Sequence, residues 1–549
     1  MPNLLVCEAA PAHDLDFRRY ASDRVAAFNK VQYDILKTKR PDLPVIHNFM
    51  GRYTEFDHYD VAETLDVASW DAYPLGHLAQ SDEPEDVKRH YMRRGEPDYQ
   101  AFHHDLYRAV GHGRMWIMEQ QPGPVNWANF NPDPLPGMAR LWAREAFAHG
   151  AEVVSYFRWR QAPFAQEQMH AGLLRPDSEP APAYHEASQV AQELRQTGIA
   201  GTAAKGRVAI VFDYQSEWAR QIQPRAKGFS HSAHVRAVYA AFRKHGVDID
   251  ILPPSTKSFA GYDIVAIPAL FARNDALREA IADFEGHLLL GPRSGSKTQN
   301  FAIPLGLAPD LPSNLLDAKV LRIDSVDPTL EVEVRGGGGA VRHWRERIET
   351  RAEVEIEDAE GWPVLIARGK LHYLAASGNK ALTQRIIDYL IAEADVPTLL
   401  LPAGVRSRVR DGFRIYVNYG SGAATLNPAA DRIWLRAGHC RNAGCGRHRG
   451  ATRQGRVILG TAVRISNRPA VSSQRSQCTP PVRSAAASIY CATAHVAGTL
   501  MRLITRSCSG QSSANAAALL ITAIENSGVV ATQAMLSHRA SASPSSIPS

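Results

Sequence analysis

The first 199 residues alternate between helical periodicity and short apolar runs. Apolar residues recur at helical spacing from Asp14 to Lys39, and Pro41 and Pro44 end that pattern. Short apolar runs typical of strands follow, and most of them precede another amphipathic helix. The predicted strands are residues 44–50, 67–73, 114–119 and 153–159. A repeated strand and helix order favours a parallel sheet with helices packed on it.

Polar residues stand at the carboxyl ends of these predicted strands. They are Asn48, Asp71, Glu119 and Arg158. In a (β/α)8 barrel the active site lies at this end of the strands, and a complete barrel needs eight strands and typically about 250 residues. Four strands in 199 residues therefore predict the C-terminal half of such a barrel.

A second α/β region is predicted between residues 206 and 395. Strands at 207–212, 247–252, 262–267 and 287–290 alternate with helices at 232–245, 275–286 and 380–394, which indicates a flavodoxin-like doubly wound domain. No cysteine occurs between residues 8 and 439, which argues against an amidotransferase nucleophile and favours a structural role. Residues 402–426 begin a small β domain. The predicted domains are 1–199, 204–395, 396–430 and a tail, 431–549.

The charge of the chain is distributed unevenly. The 549 residues carry a net charge of +6, but from Ala437 onward there are twelve arginines, no lysine, no aspartate and a single acidic residue, Glu525. With those residues set aside, the preceding part has 50 basic and 55 acidic side chains, a net charge of −5. The net positive charge therefore comes from the tail and says little about the binding partners of the ordered part.

Three interpretations of the tail compete. A nucleic-acid-binding arm normally mixes lysine with arginine and interleaves aromatic residues, but Tyr490 is the one aromatic here. A disordered segment suits its many serines. A shifted reading frame in a GC-rich gene explains the loss of lysine and aspartate, and this is the preferred hypothesis. Cys440 and Cys445 with neighbouring histidines have a loose spacing for zinc, so neither metal nor cofactor is expected.

The sharpest chemical pattern is Glu119 at the end of an apolar strand, followed eight residues later by Trp127. A retaining glycosidase needs a carboxylate nucleophile under the anomeric carbon and an aromatic platform for the sugar. A strand-end glutamate paired with an arginine is an equally good reading. On a later loop, Glu167 and His170 are spaced to face the same way if the loop makes a helical turn, or they form a solvated surface pair. Asp71 and Tyr73 either line the same pocket or only pack.

Several motifs together resemble the glycoside hydrolase family 42 β-galactosidases. The resemblance covers roughly residues 8–425. It rests on Asn48-Phe-Met-Gly51, Ser69-Trp-Asp-Ala-Tyr-Pro74, Ala101-Phe-His-His-Asp-Leu-Tyr107, Met118-Glu-Gln120 with Asn126-Trp127, Pro136-Gly-Met-Ala-Arg-Leu-Trp142, and His149-Gly-Ala with Phe157-Arg-Trp-Arg160.

This resemblance implies hydrolysis of terminal β-D-galactosides with retention of configuration, through a galactosyl-enzyme intermediate on Glu119. It implies galactose contacts from Trp127, Glu167, His170 and Tyr73. It also implies a trimerisation domain after the barrel, and hence a homotrimer with a small galactoside as its substrate.

The sequence departs from the family pattern in one important respect. The family's acid/base glutamate follows an asparagine, and no Asn-Glu dipeptide occurs in the 549 residues. We therefore expect a chain truncated at the front, with impaired activity, because general acid catalysis contributes about 10² to 10⁴-fold. A related retaining glycosidase with another sugar preference, or a non-catalytic sugar-binding or assembly subunit, is the alternative.

The remaining expectations concern the location of the protein in the cell and the macromolecules that it binds. No run of about eighteen apolar residues and no basic, then apolar, N-terminal leader is present. A cytoplasmic protein that binds neither membrane nor nucleic acid is therefore expected.

Overall fold

The computed structural model describes residues 10–199, 202–224, 226–271, 274–312, 314–327 and 329–426, and the backbone of three later strands. The helices are Pro11–Lys39 (α1), His58–Ala62 (α2), Pro74–Ala79 (α3), Glu85–Tyr91 (α4), Pro97–Val110 (α5), Met138–Ala148 (α6), Pro182–Thr197 (α7), Tyr214–Ile222 (α8), His231–Lys244 (α9), Asp275–Ala282 (α10) and Lys380–Glu393 (α11). The strands are Val45–Met50 (β1), Val67–Ala72 (β2), Met115–Gln120 (β3), Ala151–Tyr156 (β4), Val208–Val211 (β5), Ile249–Leu252 (β6), Ile264–Ile267 (β7), His287–Leu290 (β8), Ala318–Ser325 (β9), Val332–Glu333 (β10), Ala340–Thr350 (β11), Glu353–Glu357 (β12), Pro363–Arg368 (β13), Leu371–Leu374 (β14), Ala376–Gly378 (β15), Val405–Arg410 (β16), Phe413–Asn418 (β17), Ile433–Arg436 (β18), Leu519–Ile524 (β19) and Val529–Ala534 (β20).

The first sheet carries the predicted strand and helix alternation. Strands β1 to β4 are parallel and adjacent in chain order, and β20 pairs with the free edge of β1. Apolar side chains of these strands and of the helices packed on them form its core, with Trp70, Phe102 and Tyr107 among them. The α/β prediction is confirmed. Most of the predicted tail, including all its cysteines, lies outside the described residues.

The second sheet has seven strands in the order β12, β13, β14, β8, β7, β5, β6. Strands β5 to β8 are parallel, as the sequence predicts, while β13 runs antiparallel to β12 and β14. A separate antiparallel sheet contains β9, β10, β11 and β15. The sequence interpretation assigned no strands between residues 291 and 379, so this antiparallel part was missed.

Helices of the second region begin where short polar side chains cap them. The side chains of Asp213, Ser230, Asn274 and Asn379 accept hydrogen bonds from backbone N–H groups in the first turns of α8, α9, α10 and α11. Such capping satisfies donors that have no partner within the helix. Helix α9 packs against α5 of the first region, and α11 packs against α9.

A buried ion network joins the two α/β regions and the small β sheet. The Asp98 carboxylate on α5 accepts from Arg406 of β16 at 2.6 and 2.8 Å and from Arg243 of α9 at 3.1 Å. Arg243 also donates to Glu145 of α6, which accepts from Tyr419 as well. All five side chains are nearly inaccessible to solvent, and breaking a buried pair of this kind costs about 3–5 kcal/mol.

Helix α1 has an unusual distribution of side chains. Phe17, Tyr20 and Phe28 are each more than half exposed, whereas the polar Ser22 and Asn29 face the core. Ser22 accepts a hydrogen bond from the backbone of Asp57, and Asn29 donates to residues near the end of α2. Hydrogen bonds of these polar residues and the apolar packing of Leu15 therefore fix this helix together. Within the described part of the chain, no helix is long and apolar enough to cross a membrane.

Candidate active site

Two carboxylates lie side by side at the carboxyl ends of β2 and β3. The strand register pairs Asp71 directly with Glu119, so both side chains emerge at the same edge of the sheet. Asp71 is 7% exposed and accepts a hydrogen bond from Asn48 Nδ2 of β1 at 3.0 Å. Three neighbouring parallel strands thus bring their polar end residues together, as expected for the active end of an α/β sheet.

The Glu119 carboxylate is hydrogen-bonded to a tyrosine that directly follows β2. Tyr73 Oη donates to Glu119 Oε2 at 2.5 Å. Burial raises the pKa of Glu119, the Tyr73 hydroxyl lowers it, and the charge of Glu167 raises it again. Hydrogen bonding to the ionised carboxylate favours that form, so Tyr73 offsets part of the cost of keeping a half-buried glutamate charged.

Asp71 differs electrostatically from its neighbour. Burial, followed by the charge of Glu119, raises the pKa of Asp71 well above its ordinary value, although Asn48 opposes the shift. Two adjacent carboxylates cannot both ionise cheaply. The Tyr73 hydrogen bond therefore favours a negative charge on Glu119 over one on Asp71.

Trp127 forms an aromatic wall beside this pair. Its ring lies edge-on to Tyr73 with centroids 5.5 Å apart, and it is tilted against His77 at the same distance. A Cβ added to Gly76 would stand 2.5 Å from Trp127 Cη2. The indole is 37% exposed, so it offers an open face, and Gly76 makes the room that lets it lie there.

The loop containing Glu167 and His170 reaches the same site. The His170 N–H donates to the Glu167 carbonyl at 3.0 Å, which closes a single turn. The His170 ring lies 5.6 Å from Tyr73 and 5.0 Å from Phe157, both edge-on. Glu167 is held by Arg158 at 3.3 Å. Burial lowers the pKa of His170, which favours the neutral imidazole. Its Nδ1 lies 3.3 Å from the Ala171 carbonyl oxygen, which can only accept, so Nδ1–H donates there and Nε2 is left as an acceptor.

The structure brings together Tyr73, Glu119, Trp127, Glu167 and His170, the site residues proposed from the sequence. It adds three further contributions. Gly76 makes space for the indole, Phe157 supports His170, and Arg158 neutralises Glu167. The sequence also indicates Phe157 and Arg158 as candidates for this site, because both follow the fourth strand at its carboxyl end. Among the described residues, no group of three or more histidines, cysteines or carboxylates could hold a metal ion.

Comparison with known proteins gives a consistent match to this geometry. Residues 1–197 match the glycoside hydrolase family 42 model, described as beta-galactosidase, and residues 206–397 match the beta-galactosidase trimerisation domain. A beta-galactosidase of Thermus thermophilus is 47% identical over 434 residues, which are 78% of this chain and 67% of the relative. The chain belongs to the glycoside hydrolase family 42 β-galactosidases.

Solved structures of β-galactosidases are similar to this chain as well. The beta-galactosidase of the psychrophilic Marinomonas ef1 is 44% identical, with a TM-score of 0.75 over 78% of this chain and 67% of that one. The enzyme of the haloarchaeon Halorubrum lacusprofundi is 34% identical, with a TM-score of 0.73 over 77% and 65%. The chain spans about two thirds of the length of the family 42 relatives that it matches.

Proposed function

We propose that this chain carries the nucleophile and the galactose-binding side of a retaining β-galactosidase. The observation that carries the proposal is the contact between Tyr73 and Glu119 beside the open face of Trp127. A carboxylate kept ionised within hydrogen-bond reach of a sugar pocket has the properties of a glycosidase nucleophile. The relatives' names support a β-D-galactoside as the substrate.

In this proposal each side chain has a separate task. Glu119 attacks the anomeric carbon and forms the galactosyl-enzyme bond, and the aglycone leaves with the bonding electrons. Tyr73 holds the carboxylate oxygen in position. Trp127 packs against the apolar face of the sugar, while Glu167 and His170 accept hydrogen bonds from its hydroxyl groups.

We further propose that the leaving group limits the reaction in this chain. The Asn-Glu dipeptide that the family uses for its acid/base residue does not occur in the sequence. Substrates whose aglycone departs without protonation should therefore react, while ordinary alkyl galactosides should react about 10² to 10⁴-fold more slowly than in a relative with a general acid.

We propose a domain organisation that follows the sequence boundaries. Residues 1–199 are the catalytic part, 204–395 the trimerisation domain and 396–430 a small β domain. Homotrimer formation is supported by the match of residues 206–397 to a trimerisation domain. The cytoplasmic location stays a prediction.

Covalent labelling tests the proposed nucleophile without needing a general acid. The purified chain is incubated with 2,4-dinitrophenyl 2-deoxy-2-fluoro-β-galactoside, and peptides are examined by mass spectrometry. We expect a galactosyl adduct on the peptide containing Glu119, and none in Glu119→Gln. The matched control is Glu152→Gln, since Glu152 pairs with Arg114 at the opposite end of the sheet, and it should label normally. Labelling of another carboxylate, or of none, would refute the assignment.

Sugar preference is tested by the same reaction with epimeric reagents. Faster labelling by the galactoside than by the gluco, fuco or arabino analogues is expected. Preference for one of those analogues would favour the related glycosidase. Binding of galactose without any labelling would favour a non-catalytic subunit.

A further inference from the structure

The exposed apolar side chains of the second α/β region are concentrated in one stretch of the chain. Among the described residues of the range 206–397, six large apolar side chains are exposed, and five of them lie between residues 303 and 330. Single exposed apolar residues are ordinary in soluble proteins, whereas a concentration of them marks an interaction surface. The five are Ile303, Leu305, Leu321, Ile323 and Leu330.

Strand β9 and the loop before it bring four of these residues to one place. The Val320 N–H of β9 donates to the Ala308 carbonyl at 2.8 Å, so the segment that follows Leu305 runs beside the strand that carries Leu321. Leu305 is fully exposed in that segment. We use the name β9 patch for Ile303, Leu305, Leu321 and Ile323.

A β-bulge sets the strand residues of the patch facing outward. The register between β9 and β11 shifts next to Arg347 and Ile348, and Leu321 is the residue of β9 that has no paired residue there. Residues 321, 322 and 323 are all exposed, with Leu321 at 59% and Ile323 at 41%. Regular alternation would bury one of three consecutive residues, whereas a bulge redirects side chains at the edge of a sheet.

The outer edge of β9 is also open. Among the described strands β9 pairs with β11 alone, so no strand lies along its other edge beyond Val320. Arg322 stands between the two apolar side chains of the strand and opposite Arg347 in register. Asp324 pairs with Arg347 at 2.9 Å, and no described carboxylate lies within ion-pair distance of Arg322. The β9 patch is therefore apolar, with an unpaired positive charge in it.

We propose that the β9 patch is a contact surface between copies of this chain in the homotrimer. This inference rests on the proposed homotrimer and names the surface that forms it. The patch lies within the residues that match a trimerisation domain, and stable subunit interfaces have an apolar centre with polar residues around it. In a closed three-fold ring each contact joins two different surfaces. The patch therefore meets a surface of the next copy that offers apolar side chains and a carboxylate for Arg322.

Sedimentation velocity of the full chain over a series of protein concentrations tests the proposal. The unmodified chain is expected to form trimers. Leu321→Asp and Leu305→Asp should each raise the concentration needed for half-assembly about tenfold or more, because a buried charge without a partner is costly. One of the two lies on a strand and the other in a loop, so either suffices if the other variant fails to fold.

Leu400→Asp is the matched control. Leu400 is fully exposed, and the preceding residue, Leu399, donates from its backbone to the His245 carbonyl at the end of α9. The opposite end of α9 is the one near β11, where Phe229 packs on Trp344 with ring centroids 4.4 Å apart. Leu400→Asp therefore adds the same charge away from the patch, and it should assemble as the unmodified chain does.

Hydrogen exchange gives a second measurement that needs no variant. The peptide containing residues 318–325 should exchange more slowly at concentrations where the chain is trimeric than after dilution to monomers. A chain that is monomeric or only dimeric at every concentration would refute the proposed homotrimer, and this inference with it. Trimers that both patch variants leave intact, or that Leu400→Asp weakens equally, would overturn the role of the β9 patch while the homotrimer stands.

Discussion

Replacing Tyr73 by phenylalanine tests the electrostatic account of the nucleophile directly. The substitution removes the hydroxyl that donates to Glu119 at 2.5 Å and leaves the aromatic ring in place. A hydrogen bond to a charged group contributes about 1.5–3 kcal/mol, and one pKa unit corresponds to about 1.4 kcal/mol. We therefore expect the pKa of Glu119 to rise further in Tyr73→Phe, because the hydrogen bond that lowers it is lost.

The sign of the effect on stability follows from linkage. The folded pKa of Glu119 already lies above its ordinary value of 4.5, so its ionisation opposes folding as pH rises. In Tyr73→Phe this opposition increases. The variant should therefore match the unmodified chain most closely below about pH 4.5 and lose about 1.5–3 kcal/mol at neutral pH.

Thermal unfolding measured from pH 4 to pH 8 checks this expectation. For a unit of about 200 residues the loss corresponds to a melting temperature lower by roughly 3 to 12 °C at neutral pH. Tyr214→Phe is the matched control, because Tyr214 is fully buried and its hydroxyl has no hydrogen-bond partner. A Tyr73→Phe loss that does not change with pH, or that equals the Tyr214→Phe loss, would contradict the assigned role.

Two further substitutions probe the sugar platform and the buried charges. Gly76→Ala should displace the Trp127 indole and weaken galactose binding about 2- to 12-fold. Fluorescence titration with galactose measures this effect. The control is Gly422→Ala, whose added Cβ meets no described atom within 4 Å, and it should bind galactose as the unmodified chain does. Asp105 is 1% exposed, and although burial raises its pKa, its basic neighbours, Arg108 among them, hold it well below 3.8. Asp105→Asn should cost about 3–5 kcal/mol at neutral pH, and less as pH falls below about 3.8. Denaturant unfolding followed by tryptophan fluorescence checks this, and a loss under about 1 kcal/mol would argue against the pairing of Asp105 with Arg108 and His149.

Helix α1 shows what periodicity can and cannot predict. The spacing of Phe17, Tyr20 and Phe28 correctly predicted a helix ending near Lys39, but these residues are exposed. The buried side instead combines Leu15 with the hydrogen bonds that Ser22 and Asn29 make with α2 and the segments flanking it. Periodicity indicates that one face of the helix is apolar. Which face becomes buried depends on tertiary neighbours that are distant in the sequence.

The site was more predictable than the packing around it. Strand-end positions placed Asp71 and Glu119 together because parallel strands end at a common edge. Spacing left the roles of Trp127, Glu167 and His170 open, and the family resemblance favoured sugar binding, since loop residues carry no periodic signal of their own. The Gly76 contact was not predictable, because it depends on a close approach between α3 and a loop about fifty residues later.

The buried network around Asp98 limits how this molecule can be recombined. Asp98 and Glu145 lie in the catalytic part, Arg243 in the trimerisation domain, and Arg406 and Tyr419 in the small β sheet. A chimera that exchanges only one of these parts with a distant relative would leave buried charges without partners. Crossovers between relatives should therefore survive only when all five positions are inherited together, whatever the identity of the remaining sequence.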